Sequence, residues 1–559
     1  MREDWVIPDD PRIQQQIRIP KKAAGGAKGD MIVLAEITRY PTKRESPEGK
    51  IVKVLGSPGD PGLDAEIIIH KYDLPDAFPA EVLKEAKLVP LHLGEKEIAL
   101  RQDLRGLNFF TIDGETARDF DDAVAISREP GGRWKLWVAI ADVSHYVPEG
   151  SGLDKEAFLR GTSVYFPERA LPMLPPQLSN NICSLNPKED RLTMTVAMEV
   201  DPAGNVRGAE FFPSVIHSQA RLTYTLVREV LEGGRKDLVS EVTSKDLGNM
   251  ADLCQKLRAR RMSRGSIDFD LPEPQVILDV QGQIEEIVKA ERHIGHQLIE
   301  EFMIATNEAV ARFLDEEECP ALHRVHEPPD EKKIEVFKEF AGQLGYRLPT
   351  KGKLRPNAFQ DLLDQVRGKP EEKSINYLLL RSMKQARYSE KSLGHFALAS
   401  AHYLHFTSPI RRYPDLVVHR ILKELLANKL SERRRQSLEK RLSSIAEHST
   451  ERERLATEAE REIVERKKVQ FMMDKIGQEF DGYISGVTAF GIFIELKNYF
   501  IEGLVHITRL PEDHYKYLES RHTLLGERRK KAFRLGDRVR VRVDAARLEL
   551  RQIDFSLIA

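Results

Sequence analysis

The stretch TIDGETARDFDDAV, residues 111–124, places four aspartates within ten residues and runs directly into an apolar segment: Asp113, Asp119, Asp121 and Asp122. Carboxylates packed this closely repel one another strongly unless a cation lies between them. Hard divalent ions take oxygen ligands, and a pair of them about 4 Å apart can hold the attacking water and the leaving oxygen of a phosphodiester. The cluster therefore predicts a site for one or two Mg²⁺ ions, with Mn²⁺ as a substitute.

An ordinary acidic loop is the alternative, because acidic clusters are usually solvated and Asp also caps helices and starts turns. The context argues for a site. Residues 134–143 (WKLWVAIADV) predict a buried strand just downstream, and no run of Ser, Gly or Pro follows the aspartates. We expect the cluster at the edge of a folded core.

Composition indicates a large globular protein. A chain of 559 residues predicts three or four domains, and 41% apolar content can fill several cores. Three widely spaced cysteines offer neither a disulfide framework nor a CxxC metal site, which fits a reducing compartment. The sequence has no signal pattern and no apolar run approaching 18 residues, so we expect a cytoplasmic protein that does not enter a membrane.

The net charge of −2 hides an uneven distribution of charge. Residues 527–551 contain ten Lys or Arg against four acids, a local excess of +6, whereas residues 101–125 contain three Arg against six acids. One segment could hold a phosphate backbone and the other could hold metal. Overall neutrality therefore does not exclude a polyanion as the partner.

The pattern along the chain predicts a multidomain protein in which an α+β catalytic domain is flanked by small β-barrel domains of the OB-fold type. Residues 1–90 contain short β-type runs at 31–37, 50–55 and 65–70, separated by turn signals. Residues 91–430 mix strands and helices. Residues 431–476 predict a long charged helix, most of whose charges we interpret as solvated, and residues 477–559 return to short strands. The alternation in RVRVRV, residues 538–543, is typical of a half-buried barrel strand. Beside this strand, Phe490 and Phe493 could either stack on RNA bases or pack in the core.

Five motifs resemble the catalytic domain of the ribonuclease R and ribonuclease II family. They occur in the family's order: DGETARDFDD (113–122), VAIADVSHYV (138–147), GTSVYFPERALPMLPPQLSNNICSLNP (161–187), RGSIDFDLPE (264–273) and HFTSPIRRYPDL (405–416). The N-terminal segment resembles a cold-shock domain and the C-terminal one an S1 RNA-binding domain. The resemblance implies a processive, monomeric, Mg²⁺-dependent 3′ to 5′ exoribonuclease that acts on single-stranded RNA, or on structured RNA with a 3′ overhang.

The resemblance also implies roles for single residues. Asp113 and Asp122 would be metal ligands, Asp119 would support the site, and Asp121 would be the carboxylate most critical for the chemical step. Arg411 would stabilise the transition state, since a planar guanidinium matches phosphate oxygens bidentately.

Three further assignments concern the surroundings of these residues. Tyr165 would stack on the 3′-terminal nucleotide, a contact that tolerates any base. For Arg412 we favour a structural pair with Asp415. Glu460 matches an acidic family residue only through a short helical motif, and we interpret it as a surface charge.

Two other functions share parts of this pattern. The DxD in DFDD occurs in aspartyl-nucleophile phosphatases, but there the first Asp follows a buried strand directly, whereas Asp119 follows GETAR. A non-catalytic RNA-binding or remodelling protein on a decayed nuclease scaffold would be expected to lack a carboxylate or Arg411, and here all are present. Family members of the R type usually carry a further N-terminal cold-shock domain and a basic tail, so the sequence leaves the unwinding of structured RNA open.

Overall fold

The structure, a computed structural model, describes residues 4–10, 12–43, 45–268, 274–279, 281–349, 355–369 and 371–558. Positions 269–273 of the motif RGSIDFDLPE lie outside the described residues. The described ranges form an N-terminal sheet, a central α+β unit, one long helix and a C-terminal barrel. Within them, no helix combines the length and the apolar character needed to cross a membrane.

The N-terminal region is a four-stranded sheet followed by a helix. The elements are Asp4–Val6 (β1), Ile17–Ile19 (β2), Ile32–Arg39 (β3), Glu48–Gly56 (β4) and Leu63–Lys71 (α1), and the sheet order is β1-β2-β4-β3. Our prediction of a β-type run at 65–70 is wrong, because these residues are helical. Three consecutive isoleucines favour a strand locally, but Ala65, Ile68 and Ile69 are buried on one helix face against a distant helix.

The central unit is built on a sheet of six strands in the order β11-β8-β7-β6-β12-β5, and β11 also pairs with β12, which closes five of the strands into a ring. The predicted strand at 134–143 is confirmed as β8. The strands of the central unit, six of which form this sheet, are Gln102–Asp103 (β5), Phe109–Asp113 (β6), Asp122–Arg128 (β7), Trp134–Ala141 (β8), Val164–Tyr165 (β9), Ala170–Leu171 (β10), Asp190–Val200 (β11), Val206–Thr223 (β12), Pro274–Leu278 (β13), Ile284–Lys289 (β14), His323–Val325 (β15) and Arg387–Ser389 (β16).

Helices surround this sheet, and most of them share its core, in which Phe109, Phe110 and Phe302 are fully buried. They are Ala80–Leu88 (α2), Glu95–Ala99 (α3), Val143–Tyr146 (α4), Gly152–Arg160 (α5), Tyr224–Leu231 (α6), Glu241–Ser263 (α7), Ile294–Glu316 (α8), Glu331–Gln343 (α9), Pro356–Val366 (α10), Glu372–Ser382 (α11) and Tyr413–Leu426 (α12). Helices α9, α10 and α11 pack around a separate core. All three cysteines are buried and free.

The predicted long helix is confirmed as Glu432–Met473 (α13), 42 residues or about 63 Å at 1.5 Å per residue. Our interpretation of its charges as solvated is wrong for four of them, which are at most 8% exposed: Glu462, Arg466, Lys467 and Lys468. The reason is tertiary packing. The helix contacts α1 on one side and the C-terminal barrel on another, and its charges pair across these contacts.

The C-terminal region is a closed barrel with strand order β17-β18-β19-β24-β23 and a separate three-stranded sheet, β20-β21-β22. The strands are Glu479–Thr488 (β17), Gly491–Leu496 (β18), Glu502–His506 (β19), Tyr515–Leu518 (β20), Thr523–Gly526 (β21), Ala532–Arg534 (β22), Arg538–Arg547 (β23) and Gln552–Leu557 (β24). The predicted alternation in β23 is confirmed: Val541 and Val543 are fully buried, while Arg540 and Arg542 are exposed.

Candidate active site

Two strand ends bring the predicted metal ligands to the same edge of the central sheet. Asp113 is the last residue of β6 and Asp122 the first of β7, and the two strands pair antiparallel. Buried residues precede Asp113 and follow Asp122, which fixes both strands in the core. The connecting loop carries Asp119 and Asp121, so all four aspartates lie at one end of the sheet.

Asp113 and Asp122 each have one carboxylate oxygen, Oδ2, that is buried and accepts no hydrogen bond. Burial, and then the negative charge of Asp119, raises the pKa of Asp113 to about 6. Burial, and then the charge of Asp113, raises the pKa of Asp122 well above its usual value. Orphaned, mutually repelling carboxylates in a core are costly unless a cation compensates them.

Asp121 is 5% exposed and connects the loop to the segment that carries Arg411. Its Oδ1 accepts a hydrogen bond from the backbone N–H of Ile410 at 2.8 Å, and its Oδ2 lies 3.8 Å from Nε of Arg411. Burial raises the pKa of Asp121 well above its usual value, and the Arg411 guanidinium opposes that effect. The structure thus brings together the carboxylate and the cation that the sequence analysis selected.

The two neighbouring arginines have different surroundings. The Arg411 side chain is 43% exposed, and its Nη2 donates to Oγ of Ser408 at 3.0 Å. Arg412 is turned inward, and its Nη2 lies 2.6 Å from Oδ1 of the fully buried Asp415. The structural pairing predicted for Arg412 is confirmed, and Arg411 keeps donors available for a ligand.

Tyr165 stands at the rim of the site, where hydrogen bonds hold both its hydroxyl and its backbone N–H. The residue is 42% exposed, its hydroxyl donates to Oδ2 of Asp119 at 3.0 Å, and its backbone N–H donates to Oε1 of Glu460 at 2.8 Å. Our interpretation of Glu460 as a surface charge is therefore wrong. The contact joins residues 295 positions apart, so helical periodicity alone gave no signal for it.

Arg221 of β12 is a structural residue of the site that the sequence analysis missed. Its Nη2 donates to the carbonyl oxygens of Gly114 at 2.6 Å and Glu115 at 2.7 Å, which fixes the start of the aspartate loop. Its positive charge also opposes the rise in the pKa of Asp113. A lone Arg in a long strand carries no motif by which it could be found.

The donors present fit a hard divalent ion that completes its shell from elsewhere. Among the residues that the structure describes, no group of three or more His, Cys, Asp or Glu side chains is arranged to hold a metal ion alone. Two carboxylates with free oxygens remain. Mg²⁺ is commonly bound by one or two carboxylates together with waters and substrate phosphates, whereas zinc sites use nitrogen and sulfur ligands.

The C-terminal barrel presents two aromatic rings on its surface. Phe490, in the turn between β17 and β18, is 49% exposed, and Phe493 on β18 is half-buried. Their ring centroids are 6.0 Å apart with an interplanar angle of 87°. Exposure of Phe490 favours the stacking interpretation over core packing for this residue.

Comparison with known proteins identifies the family. Residues 101–428 match the family described as RNB domain, residues 5–79 a cold shock domain, and residues 473–558 an S1 RNA binding domain. The chain is 44% identical to ribonuclease R of Aquifex aeolicus over 99% of its length and 78% of that protein's. The chain belongs to the ribonuclease R family. It is 42% identical to ribonuclease R of Escherichia coli, covering 69% of that protein.

Solved ribonuclease R structures share the whole fold. Ribonuclease R of Mycoplasma genitalium in complex with ribose-methylated single-stranded RNA matches with a TM-score of 0.93 at 29% identity, over 99% of this chain and 86% of that one. The same enzyme in complex with double-stranded RNA matches with a TM-score of 0.89 at 28% identity, over 99% of this chain and 93% of that one. Yeast Ssd1, a pseudonuclease, shares the fold at 21% identity with a TM-score of 0.72, over 93% of this chain and 66% of that one.

Membership in the ribonuclease R family makes this protein a 3′ to 5′ exoribonuclease, with an RNB catalytic domain flanked by cold-shock and S1 domains. Ribonucleases with an RNB domain depend on a divalent metal ion. The likeness to a pseudonuclease means that the fold alone does not decide activity. The side chains at the site therefore have to carry the mechanism.

Proposed function

We propose that the four aspartates and Arg411 form the centre that hydrolyses the last phosphodiester of a single-stranded RNA 3′ end. Asp113 and Asp122 would hold Mg²⁺, Asp119 and Asp121 would act beside it, and nucleoside 5′-monophosphates would be released one at a time. One observation carries the proposal: two buried carboxylate oxygens without partners lie beside the Asp121–Arg411 pair.

Hydrolysis joins the oxygen of a water molecule to phosphorus, breaks the bond from phosphorus to the 3′ oxygen, and returns a proton to that oxygen. Bound Mg²⁺ supplies charge that lowers the pKa of a water and neutralises the phosphoryl oxygens. Asp121 would orient the Arg411 guanidinium and accept a proton from the water. Arg411 would donate to the phosphoryl oxygens as negative charge develops on them.

Tyr165 would hold the terminal nucleotide by stacking. The bond from the hydroxyl to Asp119 orients the ring, and the bond from the backbone N–H to Glu460 fixes the chain that carries it, so little side-chain entropy would be lost when a base stacks on the ring. A stacking contact places no demand on base identity, as a processive enzyme requires. Asp119 would thus support the site by positioning the clamp as well as through its charge.

The flanking domains would guide RNA towards this centre. We assign residues 1–90 to the cold-shock-like domain, 91–430 to the catalytic domain, 431–476 to the helical connector and 477–559 to the S1 domain. Phe490 and Phe493 would stack on bases upstream, and single-stranded RNA or structured RNA with a 3′ overhang would be the substrate. The neighbouring structures with single-stranded and double-stranded RNA support this choice. We further propose that the protein works as a monomer in the cytoplasm.

The experiment uses the intact protein, Mg²⁺ and a 3′-labelled single-stranded RNA. We expect release of labelled mononucleotide, its loss on addition of EDTA, and its return with Mg²⁺ or Mn²⁺. Binding without release in Mg²⁺ would favour the non-catalytic alternative. For the barrel, Phe490→Ala should weaken RNA binding by about 1–3 kcal/mol, while Leu550→Ala, an exposed residue of the same barrel, should not.

A further inference from the structure

The segment that presents Tyr165 is held by distant parts of the chain. We call β9, β10 and the turn between them, residues 164–171, the clamp hairpin. Its apolar side chains share one small core with α1 of the N-terminal domain and with α13: Val164, Phe166 and Leu171 from the hairpin, Ala65, Ile68, Ile69 and Leu74 from α1 and the residues after it, and Ala456, Ala459 and Ile463 from α13. The clamp hairpin therefore packs against the N-terminal domain as well as against the catalytic unit.

Ion pairs also connect the clamp hairpin, α1 and α13. Arg169 in the hairpin turn donates through Nη2 to Oε1 of Glu66 on α1 at 2.7 Å. Nζ of Lys467 on α13 lies 2.9 Å from Oδ2 of Asp64 on α1 and 2.9 Å from Oε1 of Glu168 in the hairpin. A change in the position of α1 on α13 would thus move the hairpin.

Glu462 on α13 connects these contacts to the C-terminal barrel. Its carboxylate accepts hydrogen bonds from Nζ of Lys71 at 2.6 Å and from the hydroxyl of Tyr72 at 2.7 Å, and it also pairs with Arg551 of the barrel. Glu460, which holds the backbone of Tyr165, lies two residues away in the same helical turn. One turn of α13 therefore contacts the N-terminal domain, the S1 barrel and the backbone of Tyr165.

The Glu462 carboxylate is 8% exposed, so its charge depends on these partners. Burial acts to raise its pKa, but the bonds from Lys71 and Tyr72 prevail and lower it, which keeps the group ionised. Charge-assisted hydrogen bonds are about twice as strong as neutral ones. Removal of the charge would loosen the N-terminal domain and the C-terminal barrel on the turn that carries Glu460.

We propose that Glu462 is a positioning residue for the 3′-terminal clamp, through which the placement of the N-terminal domain and the C-terminal barrel sets the grip of Tyr165 on the last nucleotides. The inference rests on the proposed role of Tyr165. Its consequence is specific: Glu462 influences how short a fragment the enzyme can hold, and leaves the chemical step alone because it touches none of the aspartates.

The test compares Glu462→Gln with Glu451→Gln on 5′-labelled single-stranded RNA. Glu451 lies on the same helix, is exposed and makes no described polar contact, so both variants lose one negative charge. We expect Glu462→Gln to raise KM about fivefold, to leave kcat within about twofold, and to lengthen the final undegraded fragment. Loss of a negative charge alone would strengthen RNA binding, so a raised KM cannot arise from the change in net charge.

Two outcomes would overturn the proposal. One is an unchanged KM and end product in Glu462→Gln. The other is a parallel fall of kcat and rise of KM accompanied by a lowered melting temperature, which marks a merely structural role. If native protein releases no mononucleotide, the proposed function fails before this test begins.

A second variant keeps the test independent of folding. Arg551→Met removes the barrel's contact with Glu462 from a side chain that is 33% exposed. We expect it to lengthen the final fragment in the same direction but less, and to add nothing in combination with Glu462→Gln. Full additivity of the two substitutions would show that they act separately, and it would refute the proposal that both act through the contact at Glu462.

Discussion

Substitution of Asp121 by Asn tests the proposed catalytic centre most directly. Asn keeps the shape of the side chain, and its amide oxygen can still accept the hydrogen bond from the Ile410 N–H, so we expect the fold to persist. What disappears is the negative charge 3.8 Å from Nε of Arg411. The perturbation is therefore confined to the electrostatics and proton chemistry of the site.

The expected loss can be worked from that distance. At an effective dielectric constant of about 20, two unit charges 3.8 Å apart attract by about 4 kcal/mol. Because Arg411 is 43% exposed, we discount this by about half, which leaves about 2 kcal/mol or a factor of about 30 in rate. Loss of a proton acceptor removes a further factor of about 10². We expect kcat to fall by about 10³ or more.

The assay measures single-turnover release of mononucleotide from 3′-labelled RNA alongside RNA affinity by filter binding. Asp121→Asn should bind RNA within about threefold of native protein, since the clamp and the flanking domains are untouched. Asp252→Asn, an exposed aspartate on α7, serves as the matched control and should behave as native. Retention of more than about a tenth of native kcat, or an affinity loss that accounts for the rate loss, would refute the assignment.

Three further predictions concern neighbouring residues. Tyr165→Ala should lengthen the final undegraded fragment seen by gel electrophoresis, whereas Tyr165→Phe, which keeps the ring and loses only the bond to Asp119, should lengthen it less; identical products from both would contradict the clamp. Arg411→Lys should lower kcat by about 10² because the bidentate contact is lost, while Arg412→Lys should mainly lower the melting temperature through its pair with Asp415; the reverse pattern would exchange their roles. Burial lowers the pKa of His419 to about 4, so the folded protein favours the neutral imidazole. The free energy of unfolding should therefore drop by up to about 3 kcal/mol as pH falls from about 6.5 to about 4. Chemical denaturation should show a flatter pH profile for His419→Gln, and an unchanged pH dependence in that variant would count against this.

Features with local causes could be predicted from the sequence. The buried strand β8 and the long helix α13 follow from apolar runs and from the absence of Gly and Pro, and the alternation in β23 reflects the two faces of a barrel strand. The acidic cluster is local too, because its residues lie within ten positions. Its proximity to Arg411, almost 300 residues away, came only through the family resemblance.

Features decided by tertiary contacts could not be predicted. Residues 65–70 have strand propensity, but they form a helix because one face is buried against α13. Glu460 and Glu462 lie in a segment whose composition is typical of a solvated helix, yet both accept hydrogen bonds from residues far away in the sequence. No periodicity distinguishes a charge that meets water from one that meets a distant backbone N–H, so such positions require the assembled fold.

The closure of the central sheet bears on when the enzyme becomes active during its synthesis. Strand β6, which ends at Asp113, lies parallel to the end of β12, and Asp113 is opposite Thr223, 110 residues later in the chain. Contacts over such separations form slowly, because a long loop must close before they contribute stability. A nascent chain that has not yet emerged beyond β12 lacks the neighbour that holds this carboxylate strand in place. Ribosome-bound fragments of this nuclease should therefore be unable to attack the messenger that encodes them before the ring of strands has emerged, and the later segment that carries Arg411 must follow before the centre is complete.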